Sequence, residues 1–248
     1  MPGAASCGYD PGMDWLTETA LWLNLARGLA LFFTGLIAWL SYHSNLLIRQ
    51  LRIEANLLLS PPETLARLLM VAICLFLAWL SGLPATQLGL TGAEPWSALG
   101  WGLGAGLVIQ VGLYLATHLA IRRFCRGIYS PWLIRNILPR RPAEWPLVAL
   151  AFIPPVVMEE LLFRTLLLAL FEDLMPLPLL ILITSLVFGL MHQPQGRLGM
   201  LFSGLINVVL GLLFIWSGQL LTTIVAHYTI NMLQLVVAHA QQDWLQDY

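Results

Sequence analysis

Apolar residues along this chain gather into seven long runs separated by brief polar connectors. A helix that crosses the hydrocarbon core of a bilayer needs roughly 20 mainly apolar residues. Runs at about Leu21–Tyr42, Leu65–Leu83, Ala98–Ile121, Trp145–Phe171, Leu177–Met191, Leu198–Trp216 and Leu220–Ala240 meet or approach that length, the fifth being the shortest. The pattern predicts an all-α, polytopic transmembrane helix bundle of about seven spans. It forms a single membrane domain over residues 1–248, without an internal repeat or a low-complexity segment.

Composition strengthens this reading. Of the 248 residues, 58% are hydrophobic and only 10% are charged, against about 25% charged in an ordinary soluble domain. A globular core that size would still need a polar skin. A net charge of -1 gives no reason to expect a nucleic-acid partner. Three cysteines, Cys7, Cys74 and Cys125, show no paired spacing and read as unpaired thiols. The first dozen residues are polar, hold Gly and Pro and lack a basic leader, so no cleavable signal is expected. Met13 is an alternative start to Met1.

All the basic residues are arginines, and they orient the bundle. With seven spans, Arg49, Arg52, Arg122, Arg123, Arg126, Arg135, Arg140, Arg141 and Arg197 fall on one side, with Arg67 near it, whereas Glu94, Glu172 and Asp173 fall on the other. Arg27 is the exception. The expected placement is a plasma membrane (the bacterial inner membrane), N-terminus outside and C-terminus cytoplasmic. The arginine-rich 122–144 connector, interleaved with Ile, Trp, Leu and Phe, reads first as ordinary positive-inside bias, with an interfacial segment along the lipid headgroups as the alternative. Gly102 with Gly106, and Gly199, Ser203, Asn207 and Gly211, recur every four residues and mark close helix packing.

Some residues do not belong in lipid. The fourth run contains Glu159, Glu160 and Arg164 near its middle. Three central charges cost about 9 kcal/mol, and the run's fifteen or so Leu, Ile, Phe and Val return about 7. The helix therefore needs polar partners or a wet cavity, and such residues are functional candidates. Glu160 and Arg164 stand i, i+4 and can pair on one face; Glu159 points about 100° away and is left for chemistry. Pro154 and Pro155 just upstream free carbonyls and bend the axis. Phe188 and His192 share a face at the end of the fifth run, and His227 and Asn231 share one inside the seventh. His43, His118 and His239 lie near run ends and read as interfacial.

These residues, Glu159-Glu160-x-x-x-Arg164, Phe188-x-x-x-His192 and His227-x-x-x-Asn231, resemble in order and identity the motifs of the CAAX-prenyl-protease and bacteriocin-processing (CPBP, or Abi) family of intramembrane proteases. The resemblance covers about residues 145–240. It implies an endopeptidase acting near the C-terminus of a membrane-tethered or lipid-modified peptide or protein. In that implied mechanism, Glu159 and His192 hold and deprotonate water, while His227 and Asn231 donate to the oxyanion. Glu160, Arg164 and Phe188 support the site.

No cofactor is expected on that mechanism. A rival use of the same side chains makes Glu159, His192 and His227 a Zn²⁺ ligand set with Glu160 as base. Expected partners are membrane lipid and a tethered peptide or protein substrate. Two other functions compete: a non-catalytic membrane partner or immunity protein on the same fold, and a proton-coupled transporter.

Overall fold

The computed structural model describes residues 11–48, 56–92, 94–124 and 129–241. Met1, Cys7, Arg49, Arg52, Cys125 and Arg126, used above, lie outside the described residues. Every regular element among them is helical, as the apolar runs require. The long helices are α1 (Pro11–Ile48), α2 (Pro61–Leu80), α3 (Pro95–Phe124), α8 (Gly196–Ser217) and α9 (Leu220–Ala240). Short helices α4 (Trp132–Ile137), α5 (Glu144–Ala151), α6 (Ile153–Glu160) and α7 (Leu177–Met191) complete the set, with a π-helical segment over Leu161–Ala169.

Six helical stretches are long and apolar enough to cross a bilayer: Thr19–Ser44, Pro61–Leu80, Pro95–Ala120, Glu144–Ala169, Gln193–Ser217 and Leu220–Ala240. The seventh, α7, has 15 residues, about 22 Å at 1.5 Å per residue, and falls short of the ~30 Å core. The chain leaves it through Gln193–Gln195 and through Gly196, whose φ of 80° suits glycine, and then enters α8. The Ser130 N–H donates to the Gln195 carbonyl and so ties this turn to the segment before α4. His192 thus caps a short helix, which brings it to the same cavity as His227 of α9.

The fourth span departs from one kinked helix. Its prolines occupy the first turn of α6, after a break at Phe152. Pro154 and Pro155 have no N–H to donate to the Leu150 and Ala151 carbonyls one turn back, and the adjacent Ala149 carbonyl accepts from the Tyr228 hydroxyl of α9, at 3.0 Å. Downstream, the helix widens to the π form, a conformation found disproportionately at functional sites. Residues 160–171 are all buried, so this segment is the axis around which the other spans pack.

Two glycine stripes set the spacing. A Cβ on Gly102 would meet the Thr222 carbonyl at 2.7 Å, and one on Gly106 the Ala226 carbonyl at 2.7 Å. Both residue numbers rise together, so α3 and α9 run parallel, as the third and seventh of seven spans must. A Cβ on Gly189 would lie 2.7 Å from the Met200 carbonyl, and Gly204 faces Ser185, so α7 and α8 form an antiparallel pair. In the second stripe, Gly211 packs on Ile181 and Leu168 as expected, whereas Gly199 and Ser203 line a cavity.

Within the 122–144 connector, α4 folds under the bundle, with Ile134 buried against Ala238 of α9. Asn56 holds it there by donating to the Ile137 carbonyl at 2.8 Å. The outlying Arg27 is explained at the opposite end. Its Nε donates to the Leu170 carbonyl at 2.6 Å and its Nη2 pairs with Asp173, so it caps the end of the π-helical segment. It is a buried structural charge, not an exception to loop topology.

The α3–α9 contact predicts that Gly106→Val will lower stability by at least about 1–3 kcal/mol, the usual cost of overpacking. Gly104→Val on the open face of the same helix should leave it unchanged, because nothing lies within 4 Å of its Cβ position. Thermal midpoints of the two variants in detergent check this.

A polar ladder and the candidate catalytic cavity

One chain of polar contacts crosses four spans. Glu160 and Arg164 are wholly buried, with Arg164 Nε 3.1 Å from Glu160 Oε2, the i, i+4 contact their spacing allows. The N–H is not aligned on the oxygen, so the contact is ionic without a well-formed hydrogen bond. Arg164 Nη2 donates to the Asn207 carbonyl of α8 at 3.3 Å, and Asn207 Nδ2 donates to Ser185 Oγ of α7 at 3.0 Å. On the other side, His227 Nδ1 of α9 donates to Glu160 Oε1 at 2.7 Å. Glu160 therefore does more than neutralise Arg164: it also fixes the ring of His227. Motif spacing within one helix could not disclose this, because the two residues lie on different spans.

With Nδ1–H committed to Glu160, Nε2 of His227 is the atom left for chemistry. It lies 3.6 Å from Glu159 Oε2. That separation is too long for a direct hydrogen bond and leaves an ion-pair contact when the ring is protonated. Glu159 is the accessible carboxylate of the pair, its side chain 24% exposed where that of Glu160 is fully buried. His192 donates Nδ1–H to the Phe188 carbonyl at 2.8 Å, leaving its Nε2 lone pair unoccupied. The Phe188 ring lies between the two imidazoles, 4.4 Å from His192 and 6.1 Å from His227. Phe163 holds it from behind, edge to face at 4.9 Å.

His192, His227, Asn231 and Phe188 line one cavity of about 120 Å³. Three of the four expected catalytic side chains thus face a shared void. Glu159 is not part of its wall. Its polar neighbour is His227, not His192. Among the described residues, no three His, Cys, Asp or Glu side chains are grouped so as to hold a metal ion. The Glu159/His192/His227 set does not close into a ligand cage in this conformation.

The cavity also contains residues outside the expected site. Gln110, Tyr114 and His118 contribute from α3, Gln195 from the turn below α7, and Gln234 and Gln241 from α9. His118 is thus also a cavity residue, stacked on Tyr114. His239 lies edge-on to Trp145 and His43 packs on Trp39. One signal for Gln110 was present: it stands four residues past Gly106, so it continues the buried Gly102–Gly106 stripe.

No curated protein and no solved structure matches this chain. A family model does: residues 141–233 match the type II CAAX prenyl endopeptidase Rce1-like model, a stretch that holds Glu159, Glu160, Arg164, Phe188, His192, His227 and Asn231. By this segment, the stretch that carries the polar motifs is similar to the CAAX-type endopeptidases, the likeness that the motifs themselves suggest.

Proposed function

We propose that this protein is an intramembrane endopeptidase that hydrolyses a peptide bond near the C-terminus of a membrane-tethered or lipid-modified peptide. The observation that carries the reading is the fixed His227 ring. Glu160 holds it at 2.7 Å, while its free edge faces both Glu159 and the cavity that His192 and Asn231 share.

Glu159 takes a proton from the attacking water as general base, with the Nε2 lone pair of His192 as the second acceptor that orients it. As the water oxygen bonds to the scissile carbonyl carbon, negative charge moves to the carbonyl oxygen. His227 Nε2–H and the Asn231 side-chain amide donate to it. To do so while Nδ1–H stays on Glu160, His227 carries both ring protons. The site then balances, with Glu159 and Glu160 against Arg164 and the imidazolium. Collapse of the tetrahedral adduct breaks the C–N bond, and the proton held by Glu159 passes to the leaving amine.

A zinc reading has one observation behind it. A carboxylate that orients a histidine through Nδ1, as Glu160 does, is a common support for metal-binding imidazoles. The metal-free reading is preferred because Glu160 is already bound to both Arg164 and His227. In that position it cannot also act as the base that the zinc mechanism assigns to it. The arginine distribution supports a cytoplasmic C-terminus, and with it a cavity that opens toward the cytoplasm.

Glu159→Gln should lower hydrolysis of a tethered reporter peptide in liposomes by about 10²–10⁴-fold. Its expression and detergent melting temperature should stay unchanged; retention of full turnover would remove Glu159 from the mechanism. Asn231→Ala should cost about 10²–10³-fold in kcat. Activity should survive exhaustive chelation of the purified protein, and zinc-dependent recovery after chelation would reverse the metal-free assignment. Arg164→Met, which leaves Glu160 buried without its cation, should destabilise the fold by about 3–5 kcal/mol, and pairing it with Glu160→Gln should restore most of that; thermal midpoints report both.

A further inference from the structure

Glu159 and the His192 Nε2 lone pair fix the nucleophilic water only in part. Both accept hydrogen bonds, so together they hold the two hydrogens of the water and neither of its lone pairs. A donor on one lone pair would aim the other at the scissile carbon. It would also favour the hydroxide-like form, because negative charge builds on that oxygen as Glu159 takes the proton. Geometry at this step matters, since a misplacement of about 1 Å costs about 10²-fold in rate.

The turn after α7 carries such a donor. Gln193–Gln195 form a 3₁₀ turn capped by His192, and the Gln195 N–H donates to the His192 carbonyl at 3.0 Å. Side chains three residues apart eclipse on a turn of this kind. Gln195 therefore stands on the same side as His192, and both line the cavity. The other backbone group of Gln195 is fixed as well, its carbonyl accepting from the Ser130 N–H at 2.9 Å. The side chain lies against Gly199 of α8, another cavity residue. A Cβ on Gly199 would strike the Gln195 Cβ and stand 3.1 Å from its Oε1. Turn, backbone bonds and glycine together hold this side chain in one place.

That placement serves no polar contact within the fold. Gln195 occupies the N-cap of α8, yet its side chain makes no cap hydrogen bond, and glutamine is not among the residues that cap well. Its carboxamide has no hydrogen-bond partner among the described residues. It therefore keeps two N–H donors for a guest. His192 beside it is likewise fixed, Nδ1 on the Phe188 carbonyl and Nε2 unoccupied. Two held groups, one a donor and one an acceptor, with no bond between them, suit a water that accepts from the first and donates to the second.

We propose that the Gln195 carboxamide is the donor that orients the nucleophile. One Nε2–H bonds to the oxygen of the water whose hydrogens point to His192 Nε2 and Glu159. Gln195 touches a reacting atom but moves no proton. This rests on the peptidase reading above.

The test uses full-length protein in liposomes and a lipid-tethered, fluorophore-quencher peptide. Gln195→Met, which keeps the length and loses the amide, should lower kcat about 10²-fold with KM within about twofold and the melting temperature unchanged. Gly199→Ala, which displaces the glutamine, should lower kcat at least about tenfold. In a Gln195→Gly background, where no Cβ is left to strike, the same substitution should cost less than about twofold.

A second readout needs no turnover. With ¹⁵N-labelled histidine, the His192 Nε2 resonance of the free protein, assigned through His192→Gln, should move in Gln195→Met toward that of an unbonded ring nitrogen. The His227 resonances should stay in place. Full kcat in Gln195→Met, or a loss confined to KM, would overturn the proposal and leave the peptidase. A wild type that cleaves no tethered peptide, with the His192 resonance still answering to Gln195→Met, would remove the peptidase reading and leave the water contact. An unmoved His192 resonance would remove that contact in either case.

Discussion

The Glu160 carboxylate is the constraint on which this structure depends. It is wholly buried, with Arg164 on one oxygen and His227 on the other. In a bilayer, neither charge can be left to solvent, so each span that contributes a partner is held to the others. Through Asn207 and Ser185 the same ladder reaches α8 and α7, and it thereby joins four spans at one depth. Apolar packing between helices in lipid lacks the hydrophobic drive available in water. Directional polar contacts and close glycine-mediated approach take over that role, and the ladder and the two glycine contacts supply them.

The same carboxylate separates structure from chemistry. Neighbouring glutamates on one helix point about 100° apart, so Glu160 turns into the ladder while Glu159 turns to the free edge of His227. The imidazole is the hinge of that division: Nδ1 belongs to the scaffold and Nε2 to the site. A second histidine, His192, is fixed in the same way by a carbonyl on its own helix. Both rings thus present one defined nitrogen to a common void. The π-helical widening that follows Glu160 and the proline-bearing turn before it are irregularities a plain membrane helix would avoid. They sit where the fourth span must place two carboxylates at unlike positions.

Much of this was legible in the sequence, and the part that was not has a physical cause. Hydropathy alone located the spans, because a bilayer imposes a length on each of them; Leu177–Met191 and Leu220–Ala240 matched to the residue. Contacts within one helix, such as Glu160 with Arg164, followed from spacing. Contacts between helices did not. The bond from His227 to Glu160, the carbonyl cap made by Arg27 and the cavity position of His118 depend on how spans rotate about their axes, which a single sequence does not encode in any local pattern. The place of His192 in the cavity likewise depends on a 15-residue helix that ends in the 193–195 turn.

The two ends of the bundle are built differently, and the difference directs traffic. At the end marked by Glu172 and Asp173, Arg27 caps Leu170, Thr165 donates to the Leu88 carbonyl, and the Leu220 N–H donates to Gly89. The loop over residues 83–92 is thereby stitched into the helix ends, and α3 is pressed to α9 without a gap. At the arginine-rich end the floor is made by short pieces, α4 and the 193–195 turn, with the Ser130 N–H just before α4 donating to the Gln195 carbonyl. The cavity that His227 lines reaches this end through Tyr129, Ile134 and Gln195. A hydrolase embedded in lipid requires that asymmetry: a polar path on one side for the nucleophile, and a closed, dry face on the other so that the membrane stays sealed.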